Sequence, residues 1–247
     1  MVILTNNLTK LMNRTRPGDF HLFECYLDQT RKNFIAINLI TFAYRYLKTS
    51  SIIQKIGEID IYYNSEEKTQ EGFAERFADI LFDSSIDNIR ISICFENYFK
   101  AKLLLNGFLI HKIDKSKHPK LYDLQKKKPI DEKEIIKDSK FPESFNKLKE
   151  SLKDNTIDYS TLLTNKDYYK YFNISENTIE FLNRIRLGRN ELHLLISEKF
   201  SINKAYINSY KAIENIANTD ITILQNTLLD GLDPESKSRI LFKPSYC

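Results

Sequence analysis

Residues 89–106, Ile-Arg-Ile-Ser-Ile-Cys-Phe-Glu-Asn-Tyr-Phe-Lys-Ala-Lys-Leu-Leu-Leu-Asn, are apolar around most of a helical circumference and stop at Gly107, a residue suited to ending a helix. Such a helix must lie in the middle of a fold, with other elements packed around it. Turn-formers are scarce elsewhere: six glycines and six prolines in 247 residues, well under half of ordinary usage. That is too few for a many-stranded sandwich or barrel, so the chain is expected to be all-α.

Helical spacing of apolar residues recurs on both sides of this run. Residues 20–47 carry it through Phe23, Leu27, Phe34, Ile37, Ile40, Tyr44 and Leu47, after a break at Arg16-Pro17-Gly18-Asp19. A second helix is expected over 66–82, and the central one from Ser84, with Asp87 in its first turn. Later helices are expected over 141–152 and 159–172, from Glu176 with Ser175 as cap, and over 202–229, ending at Gly231. Residues 111–140 are Lys- and Asp-rich with Pro119 and Pro129, and suggest a long exposed connection. The chain thus divides into an N-terminal helical region, 1–83, that completes the bundle or extends it, and a helical domain over 84–247. The segment Ile59-Asp-Ile-Tyr-Tyr63 is the main doubt about the absence of strands.

A core of this size needs no staple, and the three cysteines, Cys25, Cys94 and Cys247, are too scattered to form a disulfide framework or a thiolate metal site. Four histidines without an H-x-x-x-H or H-E-x-x-H spacing leave no histidine metal centre. No metal and no cofactor is expected. The N-terminus has neither the basic flank nor the apolar run of a secretion signal, and charged residues interrupt every stretch long enough to span a bilayer. The expectation is a cytoplasmic protein without membrane contact. A net charge of +4, from 37 basic and 33 acidic residues, permits an acidic partner without demanding one.

Within the helix expected after Ser175 lies Arg184-Ile-Arg186-Leu-Gly188-Arg189-Asn190-Glu-Leu-His193. Arg186, Arg189, Asn190 and His193 project on the side of Ile179 and Leu182, where burial is expected. Gly188 is a point where the helix could break, making Asn190 a cap. In the central helix Glu96 and Lys100 likewise fall on the stripe of Ile89, Ile93 and Leu103. Arginine with histidine suits phosphodiester chemistry: a guanidinium neutralises charge on a pentacoordinate phosphate, and imidazole moves protons near neutral pH. RNA brings its own nucleophile, the 2′-OH, so no metal is needed to make one.

An Arg followed after four to six residues by His, near the start of a late helix of a small helical domain, resembles the signature of the HEPN superfamily (higher eukaryotes and prokaryotes nucleotide-binding). Arg186 with six residues before His193 fits it, while Arg189-Asn190 resembles its Arg-Asn dipeptide with only three residues before His193. The earlier stretch from Phe95, with Glu96-x-x-x-Lys100, an apolar run and Gly107, then Leu121-Tyr-Asp-Leu124, is similar to an earlier helix of that family. The resemblance covers about residues 84–229 and implies a HEPN-type helical bundle with an N-terminal helical extension. It further implies a homodimer with a composite active site and metal-independent endoribonuclease activity leaving a 2′,3′-cyclic phosphate. In that reading His193 moves protons, Arg186 or Arg189 stabilises the phosphorane, Asn190 orients the site, and Glu96 and Lys100 support it. A toxin or an antiviral-defence effector acting by abortive infection is the corresponding role, with an antitoxin or an activating defence partner. Leu195 stands where some family toxins carry a Tyr that antitoxins modify, which argues against that mode of control.

Plainer readings stand beside these. Arg186, Arg189 and His193 also fit a solvated helix face paired with Glu180 or Glu191, and Glu96 with Lys100 an ordinary i, i+4 ion pair. Lys126, Lys127 and Lys128, with Lys112, Lys115, Lys117 and Lys120 upstream, read either as an RNA-binding surface that tracks phosphates or as a solvated loop. A catalytically silent helical module that binds nucleotide or RNA, or dimerises, is the alternative function.

Overall fold

The computed structural model describes residues 22–27, 29–48, 70–137, 143–191 and 204–231. Residues 59–63, His193 and Cys247 lie outside these, as do the side chains of Arg189 and Asn190. The chain opens on a short 3-10 turn, Leu22–Tyr26, followed by α1, Gln29–Lys48. The central helix, α2, runs unbroken from Gln70–Leu105. The two helices expected over 66–82 and from 84 are therefore one, and the division at 83 falls inside it. Asp87 does not cap a new helix: it is buried and accepts a hydrogen bond from Arg90 at 3.2 Å.

Gly107, at φ +81°, turns the chain out of α2 in the left-handed conformation that a helix-ending glycine adopts without strain. Beyond this turn the all-α expectation is corrected, for the protein is mostly helical with a small two-stranded sheet. Strand β1, His111–Ile113, leads to α3, Pro119–Gln125, and α4, Lys133–Ile136. Helix α5, Glu143–Ser151, runs directly into β2, Leu152–Thr156, which pairs antiparallel with β1 in the register His111 to Thr156 and Ile113 to Leu152. The three residues of β1 answer five on β2, so β2 bulges. Short strands with one bulge carry little periodic signal, and β2, Leu-Lys-Asp-Asn-Thr, has one large apolar residue. Over 111–137 the chain is thus built into the fold rather than an exposed connection: Ile113, Ile130 and His111 are all buried.

Helices α6, Tyr159–Thr164, and α7, Lys166–Tyr169, precede α8, Glu176–Glu191. Ser175 caps α8 as expected, its Oγ accepting from the Thr178 N–H at 3.3 Å. The last elements are α9, Lys204–Ile216, a π turn over Ala217–Ile221, and α10, Thr222–Asp230.

Side-chain contacts set the directions of the long helices. Phe99 of α2 stacks on Phe172 at 4.0 Å, and Lys102 donates to the Phe172 carbonyl at 3.0 Å. At the other end, Phe181 of α8 meets Tyr210 of α9 edge-on, and Tyr210 Oη donates to Asn88 of α2 at 2.7 Å. Helix α8 therefore runs antiparallel to α2. Helix α1 begins beside the C-terminal end of α2, because Tyr26 Oη accepts from the backbone N–H groups of Ile110 and His111 at 2.9 and 3.1 Å. Four long elements, α1, α2, α8 and α9–α10, make a bundle around α2. The sheet and short helices cover its end near Gly107.

The core includes Phe95, Tyr98, Phe99 and Leu103 of α2 with Ile40, Phe172, Leu182 and Ile213. Among the described residues no helix is long and apolar enough to cross a membrane.

Candidate functional site

On α8 the buried side chains are Thr178, Ile179, Phe181, Leu182 and Ile185. Arg186 sits four residues beyond Leu182 on the same stripe, and it is half-buried. The core-facing side of α8 thus changes from apolar to cationic one turn before the described helix ends. Its Nε donates to Asn183 Oδ1 at 3.0 Å, which orients the guanidinium plane. Among the described residues Arg186 makes no ion pair with a carboxylate. Of the two partners the plainer account offers, Glu180 is not paired with it, and the side chain of Glu191 lies outside the described residues. Arg184 and Leu187 are exposed.

The helix continues through Gly188 to Glu191. A break at Gly188 with Asn190 as a cap does not occur, and among the described residues a Cβ at position 188 would meet nothing within 4 Å.

Glu96 and Lys100 do form the i, i+4 pair, Nζ to Oε1 at 2.5 Å. Lys100 is buried and also donates to Thr156 Oγ1 at 2.8 Å, joining α2 to β2. The bond to Thr156 holds the sheet against the central helix, while Glu96 neutralises the ammonium from within that helix. The antiparallel order of α2 and α8, with a rise of about 1.5 Å per residue, sets Arg186 some 10–20 Å along the bundle from this pair. The anomaly of two charges on an apolar stripe is met by a clamp between elements.

Lys126, Lys127 and Lys128 are exposed, on the turn that leaves α3. Two side chains fix this turn from beneath. Asn165 Nδ2 donates to the carbonyls of Lys126 and Lys127 at 2.9 and 2.6 Å, and Tyr168 Oη donates to that of Gln125 at 2.5 Å. Lys126 lies over the Tyr122 ring at 4.4 Å and 3.6 Å from Asp123.

A buried polar cluster at the start of α1 has no counterpart among the sequence motifs. Tyr26 Oη already accepts two backbone N–H groups and is 2.7 Å from His111 Nδ1, so its one proton points at Nδ1 and His111 carries its own on Nε2. Burial holds the Tyr26 hydroxyl well above its ordinary pKa, in keeping with a neutral donor. Alongside, Lys32 Nζ is 2.6 Å from Glu132 Oε1, both side chains almost wholly buried. Glu132 Oε2 is buried with no hydrogen-bond partner. Burial outweighs the Lys32 ammonium there, and the Glu132 carboxyl sits above its ordinary value of 4.5. Burial likewise raises the Cys25 thiol and keeps it unreactive. The cluster ties the 3-10 turn and α1 to β1 and α4, and its members are too enclosed to meet a substrate.

Among the described residues no three His, Cys, Asp or Glu side chains gather as a metal site. Comparison of the chain with protein-family models, with curated proteins and with solved structures finds no match.

Proposed function

We propose that the chain is a metal-independent endoribonuclease of HEPN type, acting as a toxin or antiviral-defence effector, with Arg186 and His193 as its reacting pair. The observation that carries this is Arg186: half-buried, oriented by Asn183, on the core-facing stripe of α8, and without a carboxylate partner among the described residues. A guanidinium so oriented suits recognition of an anionic oxygen. His193, two residues beyond the described helix, supplies the acid–base group in sequence.

In the proposed reaction His193 accepts the proton of the substrate 2′-OH as its oxygen attacks the adjacent phosphorus. Arg186 neutralises the charge that builds on the non-bridging oxygens. The P–O5′ bond breaks, the leaving oxygen takes a proton from the histidine imidazolium, which returns to its neutral form, and the products are a 2′,3′-cyclic phosphate and a 5′-hydroxyl. Asn190, further along the same helix, orients the site, and Arg189 is the alternative to Arg186 as the stabilising guanidinium. A homodimer that brings two such motifs together is part of the reading. Glu96 and Lys100 enter it through the fold, by holding the sheet to α2, and do not touch the substrate.

The test is incubation of the purified protein with structured RNA in excess EDTA, with product ends read by mass spectrometry. Cyclic-phosphate ends are expected, with Arg186→Ala and His193→Ala each slowing cleavage at least about 100-fold. No cleavage, or cleavage unaltered in both variants, rejects the proposal. RNA binding without scission is the result that a silent binding module would give.

A further inference from the structure

The segment 111–128 holds seven lysines and two aspartates, a net +5 in a chain whose total is +4. The rest of the molecule is close to neutral. This excess occupies one compact unit, β1, α3 and the turns around them. Lys115 and Lys126 both approach the Tyr122 ring, at 5.9 and 4.4 Å, so side chains from the turn before α3 and the turn after it converge on one face of that helix. Each turn is held in place. Asp114 Oδ1 accepts from the backbone and hydroxyl of Ser116 at 2.9 Å, and Asn165 and Tyr168 hold the carbonyls of the second turn.

Two of the seven lysines are engaged, Lys112 with Asp158 at 2.7 Å and Lys126 with Asp123. Lys115, Lys117, Lys120, Lys127 and Lys128 are exposed and make no ion pair among the described residues. We propose that this unit is a docking surface for the phosphate backbone of RNA, with those five lysines as its contacts. Ordinary solvation of a loop does not call for anchoring its backbone from below, and anchored lysines lose less freedom when they meet phosphates.

The partner's chemistry is set by the groups the unit lacks as well as those it shows. Stable protein interfaces rest on a few apolar or aromatic anchors, and no exposed large apolar side chain falls within 111–128. A polyphosphate chain needs no such anchor, since it binds by releasing counterions. Tyr122 is covered by ammonium groups rather than open for base stacking, so binding is expected to be indifferent to sequence.

That the polyphosphate chain is RNA rests on the function proposed above; binding to this surface does not require cleavage, and the experiment keeps the two apart. Binding of the full chain to a fluorescent 20-nucleotide 2′-O-methyl RNA, which offers no 2′-OH to attack, is measured by anisotropy over a range of salt. For five phosphate contacts the plot of log affinity against log salt should fall with a slope of about −3.5. Neutralising the five lysines to Gln should flatten that slope to about −1 or less and lower affinity at least about 10-fold at 0.1 M salt. A charge-matched control, Gln at Lys133, Lys149, Lys166, Lys170 and Lys211, should bind nearly as wild type; all five are exposed, and thermal melts check both folds. Equal losses in the two variants, or an unchanged slope in the first, overturn the proposal. So does tighter binding of polyglutamate than of the oligonucleotide. A wild type that binds through these lysines and never cuts RNA rejects only the nuclease.

Discussion

The Lys32–Glu132 pair shows how a single buried charge is kept and what it costs to disturb. Lys32→Met leaves the Glu132 carboxylate enclosed without its ammonium, with Oε2 already unpartnered, and should lower stability by about 3–5 kcal/mol in urea melts. Adding Glu132→Leu should recover most of that loss, because the remaining group to be desolvated is gone. A double variant no more stable than Lys32→Met would show that packing, not charge, sets the cost. The pH dependence has a definite sign. A carboxyl whose folded value is raised stabilises the fold below its unfolded value, and that contribution is lost as pH rises through the folded value. Urea midpoints of the wild type relative to Glu132→Gln should therefore fall as pH rises from the ordinary carboxyl value of 4.5 through the raised one, and a rise would overturn the assignment.

The junction of α9 and α10 carries a local device that emerges from counting. Ile213, Ala217, Ile221, Gln225 and Leu229 are all buried, each four residues after the last. An α-helix has 3.6 residues per turn, so a strict four-residue stripe drifts around it and would leave the core within a few turns. The π turn at Ala217–Ile221 is wider per turn and takes up that drift, keeping Leu229 against Ile37 of α1. Deleting exposed Asn218 closes the spacing to one an ordinary helix can follow, and should change stability by less than about 1 kcal/mol. Inserting an alanine there should instead rotate α10 by about 100° and cost roughly 3 kcal/mol or more as Leu229 leaves the core. Equal effects from deletion and insertion would remove this account of the π turn. The same counting explains which elements were readable in advance. The central run at 89–106, the Ser175 cap and the end at Gly231 carry their signals locally. The sheet did not, since β1 and β2 are joined by contacts across some 40 residues, and β2 alone resembles the tail of a helix. Arg186 was legible as a misplaced cation on a buried stripe. The purpose of Lys100 was not, because Thr156, the acceptor that explains it, is 56 positions away.

Taken whole, the bundle separates two cationic features. The lysine turn adjoins α7, since Tyr168 bonds to the Gln125 carbonyl, and α7 adjoins the start of α8, where Glu176 meets Lys166 at 3.2 Å. Arg186 stands ten residues further along α8, about 15 Å at helical rise. A stacked strand advancing about 3.4 Å per nucleotide covers that distance in roughly five nucleotides. Under the proposed cleavage at Arg186, an RNA reaches the lysines only if it extends several nucleotides from the scissile bond. Neutralising Lys115, Lys117, Lys120, Lys127 and Lys128 should raise KM about 10-fold for substrates of about 12 nucleotides or more and leave kcat as it was. For a tetranucleotide the same variant should leave KM within about 2-fold, because the short chain never touched that surface. Steady-state cleavage of the two lengths decides it. A KM that rises equally for both would mean that the lysines act through the field of the whole molecule, and added salt should then abolish the difference between variant and wild type.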